Sequence, residues 1–298
     1  MNLKFKFAGG HLHLRKGFLC LLCSTYFMNL IDPAIADFYN QSCEDSRLQT
    51  GLGPLEFERN KLLITAYLHQ APMHIADIGG GTGHYSAWLS SLGHYVYLID
   101  PVPEHVRKAR KKAKGKNAFS CEIGEARRLP FENGSFDLVI LHGPLYHLQQ
   151  QANRLQAIRE SRRILRPGGT VLGFAITRAA STLAALNTGL IHDPRIFQMC
   201  ISALNSGNHT APEGMQGILS QAYYHTPDEL RDEFACSHFS VIGSHAVEGL
   251  AWMDSNFFQS WADPVKKARL LELIALTEQD SSLLSLSPHM MVAATVEI

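Results

Sequence analysis

The segment Asp77-Ile78-Gly79-Gly80-Gly81-Thr82-Gly83 decides the fold of this chain. It follows residues 74–78, which the apolar pattern predicts to be a buried strand, and it opens a helix predicted over residues 82–92. Glycines at such a junction permit a sharp turn and a close approach of the backbone to a ligand. The N–H groups at the start of the helix suit a carboxylate or a phosphate. The segment therefore predicts a ligand-binding turn between a strand and a helix.

The spacing of the glycines distinguishes this turn from two other loops. A dinucleotide-binding loop reads Gly-x-Gly-x-x-Gly, which would require glycine or alanine where this chain has His84. No Gly-Lys-Ser/Thr follows, so the turn is not a P-loop. The pattern present is Gly-x-Gly-x-Gly at Gly79, Gly81 and Gly83, with Asp77 two residues before the first glycine.

Short apolar stretches alternate with helical patterns beyond this turn. Further strands are predicted over residues 95–99, 118–122, 136–141, 170–176, 239–242 and 289–297, and helices over 104–114, 152–165 and 264–276. Asp100 ends the second strand, where an acid can accept hydrogen bonds from both hydroxyls of a ribose. Strands separated by helices of this length predict an α/β fold with a doubly wound, mostly parallel sheet.

The turn, the acid and their strand–helix context resemble the class I S-adenosylmethionine-dependent methyltransferases, over about residues 38–298. The resemblance implies a seven-stranded Rossmann-like methyltransferase sheet with a helical cap, and S-adenosylmethionine as the cofactor. In that family the glycine turn holds the methionine end of the cofactor, the acid binds its ribose, and a Gly-Asp-Ala segment holds its adenine. Here Gly124-Glu125-Ala126 matches the last segment, with a longer acidic arm. The cofactor-binding residues that the resemblance implies are Asp77, Gly79, Gly80, Gly81, Gly83, Asp100, Pro101, Glu125, Ala126 and His142.

The loop after the fourth strand is the predicted place of the chemistry, because ligands bind beyond the carboxyl ends of parallel strands. It contains His142, Tyr146 and His147 on a Gly-Pro turn. Methyl transfer needs an aligned nucleophile and, for a hydroxyl acceptor, a base. His147 is the first candidate for that base, His142 is the second, and Tyr146 is a candidate to steer the acceptor. Purely structural roles for both histidines stay open.

The same loop lacks the Asn/Asp-Pro-Pro-Tyr/Phe tetrad with which resembling enzymes hold a planar amine. Its absence argues against methylation of a nucleobase amine or a glutamine side chain. One domain is predicted over residues 37–298, and its segments 37–70 and 179–225 are predicted to form a cap. A cap that closes over the site excludes water and favours a small-molecule acceptor. Candidates in the cap to face the acceptor are Tyr39, Glu56, Arg59, Tyr223, Tyr224 and His225. A helix is predicted to start at Thr226 with a capping box.

Residues 1–36 are predicted to be an N-terminal extension. Basic residues precede the apolar stretch 17–31, and Ala34-Ile35-Ala36 follows it, in the order of a signal peptide. The stretch is short for a membrane span, and a cap or a start codon placed too early are the alternatives. The cytoplasm is the predicted location, without stable membrane insertion. Cys20 and Cys23 have metal-ligand spacing without a second pair, so no metal is predicted.

Composition narrows the function further. The 298 residues carry 27 Lys and Arg against 27 Asp and Glu, a balance that disfavours binding of nucleic acid by the whole chain. Seven basic residues lie between Arg107 and Lys116, and a solvated helix face is the expected explanation. The predicted function is transfer of a methyl group to a small molecule. A non-catalytic cofactor-binding protein, a nicotinamide-dependent oxidoreductase and an RNA methyltransferase are the alternatives; the acceptor atom and the oligomeric state stay open.

Overall fold

The computed structural model describes residues 47–115, 118–215 and 217–297. Its strands are β1 His74–Ile78, β2 Tyr95–Asp100, β3 Ser120–Ile123, β4 Phe136–Leu141, β5 Leu165–Ile176, β6 Asn208–Thr210, β7 Gln221–Tyr223, β8 Ser240–Ala246 and β9 His289–Thr295. Its helices are α1 Gly53–Thr65, α2 His84–Ser91, α3 Pro103–Lys112, α4 Pro144–His147, α5 Gln151–Ile164, α6 Ala180–Thr188, α7 Pro194–Ser206, α8 Pro227–Cys236, α9 Phe257–Ala262 and α10 Pro264–Thr277. Helices and strands thus alternate along most of the described chain.

Seven strands form one sheet in the order β3-β2-β1-β4-β5-β9-β8, and β9 is antiparallel to both of its neighbours. The first three strands extend the sheet in one direction from β1, and the chain then returns to β4 on the other side of β1. This reversal is the topological switch point, at which open α/β sheets bind their ligands. The predicted doubly wound, mostly parallel seven-stranded sheet is confirmed.

The sheet has an apolar core on each face. Side chains of alternate residues in a strand point to opposite faces, so neighbouring residues such as Ile140 and Leu141 belong to different cores. One core packs beneath α1 and α2, and the other beneath α5 and α8. Because both faces are covered, the central strands are mostly apolar, as the sequence of β4 (Phe136–Leu141) already indicates.

Most predicted elements occur where the sequence places them. The bounds of β1 and β4 agree with the prediction, and α8 begins with the capping box in which Thr226 and Glu229 bond each other's backbone N–H. Two differences have local causes. Gly53 and Pro54 interrupt the helical apolar pattern of residues 37–70 and predict a break in it, whereas in the structure they begin α1, because proline is favoured in the first turn of a helix. The chain enters β5 already at Leu165, before the Pro-Gly-Gly turn, because Leu165 pairs with Phe136 of β4.

An insertion follows β5 and contains α6, α7 and the hairpin of β6 and β7. These elements correspond to the predicted cap segment 179–225, and His225 joins the hairpin to the end of β5 through a backbone hydrogen bond with Ile176. Residues 1–46 lie outside the described residues, and with them Tyr39, Cys20 and Cys23. In the described part of the chain, helices are too short or too polar to span a bilayer.

Candidate functional site

A cavity of about 460 Å³ opens at the carboxyl edge of the sheet, at the switch point between β1 and β4. Segments that follow the carboxyl ends of β1, β2, β3 and β4 all contribute to its walls. Among the predicted site residues, those that line it are Gly79, Gly80, Gly81, Asp100, Pro101, Glu125, Ala126, His142, Tyr146 and His147. Asp77 and Gly83 do not line it.

Glycine is favoured at each position of the turn for a different structural reason. A Cβ at Gly79 would lie 2.1 Å from the carbonyl oxygen of His142, and one at Gly80 would lie 2.6 Å from Oδ2 of Asp77. At Gly81, whose φ is +56°, a Cβ would meet no described atom within 4 Å. Gly83 packs against Phe119 below the turn. Gly79 and Gly80 therefore let the turn pack closely, whereas Gly81 borders the open cavity.

Asp77 supports the turn from beneath. Its side chain is fully buried, and Oδ2 accepts a hydrogen bond of 2.6 Å from the hydroxyl of Ser86 in α2. Burial raises the pKa of Asp77 to about 6, the Ser86 hydrogen bond opposes the rise, and the charge of Asp100 adds to it. The carboxyl group thus links β1 to α2 and fixes the start of the glycine turn.

Asp100 connects the turn to the end of β2. Oδ2 accepts a hydrogen bond of 2.9 Å from the N–H of Gly81, and Oδ1 accepts one of 2.9 Å from the N–H of Val102. Nδ1 of His105 lies 3.1 Å from the same Oδ1. The carboxylate is therefore held in one orientation at the cavity wall, with its charge next to the glycine turn.

The segment after β3 forms the opposite wall. Glu125 and Ala126 line the cavity there, and Oε2 of Glu125 accepts a hydrogen bond of 2.5 Å from Nε of Arg127. Arg127 lines the cavity as well. The carboxylate of Glu125, which the resemblance implies would hold an adenine, is thus paired with the guanidinium of Arg127.

His142 lies between two aromatic rings. It stacks on Phe174 of β5 with 4.0 Å between ring centroids and on Tyr85 of α2 with 4.6 Å. Its Nε2 lies 3.2 Å from the side-chain nitrogen of Asn60, whereas its buried Nδ1 has no hydrogen-bond partner among the described residues. Burial lowers the pKa of His142 to about 3, so the ring is neutral near pH 7.

His147 and Tyr146 lie on the short helix α4, with 4.6 Å between their ring centroids. Both line the cavity. Burial and, with a smaller effect, the nearby His105 together lower the pKa of His147 to about 3. A neutral imidazole can accept a proton, but an efficient general base has a pKa near the working pH. His147 and His142 are therefore weak bases in this setting.

A buried ion pair anchors the loop that carries these residues. Nη2 of Arg154 in α5 lies 2.7 Å from Oε1 of Glu233 in α8, and Nη1 of Arg154 donates to the carbonyl groups of Leu148 and Gln149. The guanidinium also lies 3.7 Å from the ring centroid of Tyr223. Because Leu148 and Gln149 line the cavity, Arg154 couples the cavity wall to the insertion and to α8.

The predicted cap contacts lie outside the cavity wall. Among the described candidates, His225 is fully buried beside Glu233, and Tyr224 is buried against His209. Arg59 is buried, donates to the carbonyl of Val247 and pairs with Glu278. These side chains pack the cap and α1, and Glu56 belongs to a separate polar cluster.

Sequence reasoning did not single out several charged or aromatic residues of the cavity wall. They include Arg47, Tyr85, His105 and Arg127. For His105, the signal available was its position five residues after Asp100, which is within the first turn of α3. Arg47 and Tyr85 come to the cavity through the packing of α1 and α2 on the sheet, which local spacing does not encode.

The sheet order, the glycine turn and the acid at the end of β2 define a Rossmann-like class of α/β domain. Residues 76–173 match the family model described as a methyltransferase domain. A solved S-adenosylmethionine-dependent methyltransferase of Methanosarcina mazei shares the fold, with a TM-score of 0.55 and 20% identity, covering 79% of this chain and 97% of that one. The match over residues 76–173 identifies a methyltransferase domain there, and the likeness to the solved structure shows that the fold is shared.

Two curated relatives show the range of named substrates. The chain is 33% identical over 104 residues to the ubiquinone/menaquinone biosynthesis C-methyltransferase UbiE of Rubrivivax gelatinosus, covering 35% of this chain and 39% of that protein. It is 35% identical over 100 residues to probable tRNA methyltransferase 9B of Homo sapiens, covering 33% of this chain and 20% of that protein. The chain thus spans less than half the length of these curated relatives.

The cavity fits the cofactor of this family. The backbone at Gly81 borders open space, Asp100 presents a carboxylate at the wall, and Nδ1 of His142 is a buried polar atom without a described partner. A volume of about 460 Å³ lies in the range of sites that enclose a molecule of this size. These features suit a ligand with several polar groups, such as a nucleoside that carries an amino acid.

Proposed function

We propose that this chain is an S-adenosylmethionine-dependent methyltransferase that acts on a small organic acceptor. The observation that carries the proposal is the cavity at the switch point, whose wall runs from the glycine turn through Asp100 to Glu125 and returns along the loop 142–148. One part of the wall has the features of a nucleoside site. The other part, with His142, Tyr146 and His147, would receive the acceptor.

The glycine turn, Asp100 and the segment 124–126 would hold the cofactor. When bound, S-adenosylmethionine supplies a methyl group on a positively charged sulfur. Gly81 gives a ligand access to the backbone, and the Asp100 carboxylate is oriented by the N–H groups of Gly81 and Val102. Asp77 and Gly83 act indirectly in this proposal, because they shape the turn without lining the cavity.

His142, Tyr146 and His147 would position the acceptor. Holding two reactants in the correct geometry supplies about 7–11 kcal/mol of a barrier, so alignment is the main contribution expected from this wall. The low pKa of His142 and of His147 makes strong proton abstraction a small contribution. The acceptor atom that this site favours is one that is nucleophilic without a strong base, such as an ionised oxygen or carbon, a thiolate or a neutral amine.

Two observations support a small acceptor over a nucleic acid, and the named relatives include both kinds of acceptor. The chain has no net charge at pH 7. The basic residues of α3 lie on the helix between β2 and β3, and Arg107 there pairs with Glu104 at 2.5 Å. The quinone-pathway relative has a small acceptor by name, whereas the human relative is named for tRNA. We also propose the cytoplasm as the location, because the described cysteines Cys121, Cys200 and Cys236 are free thiols.

Calorimetry with the full chain tests the cofactor assignment. We expect binding of S-adenosylmethionine and of its demethylated product S-adenosylhomocysteine, and no comparable binding of NAD. Absence of binding by both sulfur compounds would overturn the proposal, and tight binding of NAD alone would favour an oxidoreductase.

Turnover is tested separately with methyl-labelled cofactor and an extract of small metabolites. We expect labelled products whose formation falls at least tenfold in His147→Ala, with S-adenosylhomocysteine affinity unchanged. His192→Ala is the matched control, because that histidine is exposed on the insertion. Cofactor binding without any labelled product would support a non-catalytic binding protein. Equal turnover in His147→Ala would remove His147 from the acceptor site.

A further inference from the structure

Four charged side chains meet beside the cavity, on the side of the sheet that α1 covers, and one of them, Arg47, also lines the cavity wall. Nη1 of Arg47 lies 2.5 Å from Oε2 of Glu56 in α1. Nδ1 of His289, at the start of β9, lies 2.7 Å from Oε1 of Glu248 in the loop after β8. Side-chain ligand atoms of Glu56, Glu248 and His289 all lie within 4.8 Å of one another. These residues form one compact group, called the α1–β9 charge cluster below.

The cluster stands at the same edge of the sheet as the cavity. His289 pairs with Ile176, the last residue of β5, so it lies at the carboxyl edge. Side chains two residues apart along a strand lie on the same face of a sheet. His289 therefore shares a face with Met291, and His142, directly after β4, shares a face with Ile140. Met291 and Ile140 belong to the same core. His142 and His289 therefore rise from one face, two strands apart.

Arg47 and Asn60 link this cluster to the cavity. Arg47 lines the cavity and bonds Glu56. Asn60, one helical turn after Glu56, contacts both His142 and the hydroxyl of Tyr85, which line the cavity. The cluster is thus connected to the cavity wall through Arg47, and α1 carries both Glu56 and the Asn60 contact with His142.

The carboxylates of the cluster lie beneath its cations. The side chain of Glu248 is 2% exposed, whereas that of His289 is 28% exposed. Glu248 also accepts hydrogen bonds from the hydroxyl of Ser287 and from the backbone N–H of His289, so its oxygens are already used. Because Nδ1 of His289 faces Glu248, Nε2 is the ring nitrogen that remains for another partner on this partly exposed side chain.

His289 is positively charged in this setting. Burial opposes the charge, but the carboxylate of Glu248 and, with a smaller effect, that of Glu56 raise the pKa of His289 to about 9; Arg47 acts against them. Glu56 is itself ionised, because Arg47 and His289 lower its pKa to about 2 against the effect of burial. The charged groups packed on His289 are thus two buried carboxylates and one guanidinium, and the accessible donor is a cationic N–H.

We propose that His289, oriented by Glu248, binds an ionised oxygen group of the acceptor, so that the substrates of this enzyme are acids. This inference rests on the proposed function and names its substrate class. Neighbouring strands are about 4.8 Å apart, so a group at His289 lies on the order of 10 Å from the strand that carries His142. The acidic group is therefore remote from the methylated atom, and His289 is a positioning residue that anchors the acceptor.

Paired ligands test this charge preference. The probes are a panel of aromatic and aliphatic carboxylic acids, each with its neutral primary amide, and phenols, each with its methyl ether, measured by calorimetry with S-adenosylhomocysteine bound. We expect at least one acid to bind about tenfold or more tightly than its amide, because a hydrogen bond to a charged group is stronger than one between neutral groups. The phenol pairs show whether a phenolate is the anion bound. A panel without any such preference would overturn the proposal.

Variants locate the preference at His289. His289→Gln and Glu248→Gln are expected to abolish the tenfold preference and to leave S-adenosylhomocysteine affinity unchanged. His245→Gln is the matched control, because His245 contacts Glu278 at 3.3 Å in a similar pair on β8. The proposal would be overturned if both His289→Gln and Glu248→Gln kept the preference for the acid over its amide. It would also be overturned if the control His245→Gln lost this preference to the same extent. If the wild-type chain does not bind S-adenosylhomocysteine at all, that result would instead contradict the proposed function.

Two direct measurements on the cluster complete the test. The NMR titration of the His289 ring in the S-adenosylhomocysteine complex should show a pKa above 8 that falls in Glu248→Gln. A neutral ring at pH 7 would overturn the proposal. Calorimetry with Mn²⁺ or Zn²⁺ alone should show no tight binding that depends on Glu56, and micromolar binding lost in Glu56→Gln would replace the anion site with a metal site.

Discussion

Alanine substitutions at Gly79 and Gly81 separate the two roles of the glycine turn. Both residues have a positive φ, +78° at Gly79 and +56° at Gly81. The left-handed backbone costs an alanine about 1–2 kcal/mol. At Gly81 this strain is the whole expected cost, because the new methyl group points into open space. For a chain of this size the melting temperature falls by about 2–4 °C for each kcal/mol, so Gly81→Ala should lower it by about 2–8 °C.

The cost at Gly79 is larger, because the new Cβ would lie 2.1 Å from the carbonyl oxygen of His142 and 2.8 Å from Cδ of Pro144. These atoms belong to the backbone and to a ring, so relief requires a shift of the loop after β4. Overpacking of this kind adds about 1–3 kcal/mol or more, for a total of about 2–5 kcal/mol. The Gly79→Ala variant should therefore melt well below Gly81→Ala.

Thermal unfolding and calorimetry with S-adenosylhomocysteine measure the two effects. Gly81→Ala should keep most of its stability and lose at least tenfold in affinity, because its methyl group occupies cavity space. A Gly79→Ala protein as stable as Gly81→Ala would refute the packing argument. Undiminished affinity in Gly81→Ala would refute the assignment of the turn to the cofactor.

Three further predictions follow from buried polar groups. The pKa of Asp77 is raised from 3.8 to about 6, a difference worth about 3 kcal/mol, so the folded wild type is progressively destabilised as the pH rises from about 4 to about 6. Denaturant unfolding should show Asp77→Asn gaining about that much relative to wild type between pH 4 and pH 7, and a pH-independent difference would contradict the raised pKa. Arg154→Met should cost about 3–5 kcal/mol because it removes the cationic partner of the buried Glu233 carboxylate and leaves only the contact with His225. Adding Glu233→Leu should recover part of this loss, and further loss in the double variant would contradict the ion-pair explanation. Thr226→Ala should cost about 1 kcal/mol through loss of the α8 cap, as measured by thermal unfolding, whereas an unchanged melting temperature would show that the capping box does not stabilise α8.

Local spacing was sufficient for much of the fold and for part of the candidate site. The glycine turn, Asp100 and the loop 142–148 are contiguous or follow a strand directly, so their positions at the carboxyl edge could be predicted from strand and helix patterns. All of these segments border one cavity in the structure. Their roles in binding and catalysis stay predictions until the experiments above are made.

Local spacing could not show which side chains serve the turn and which face the cavity. Asp77 lies in the same motif as Gly81, yet it is buried beneath the turn on Ser86. The basicity of the loop histidines was equally hidden, because the rings of Tyr85 and Phe174 that enclose His142 come from α2 and β5. Burial by segments that are distant in the sequence therefore determines whether the imidazoles of the loop histidines are protonated.

By itself, the sequence determined the alternation of strands and helices, the turn at residues 77–83 and the cap of α8, because each depends on residues within a few positions of one another. The tertiary structure alone decided the α1–β9 charge cluster, in which Glu56 meets Glu248 and His289 from near the other end of the chain. The physical reason is strand pairing: β9 inserts antiparallel between β5 and β8, and that register places His289 beside the end of β5.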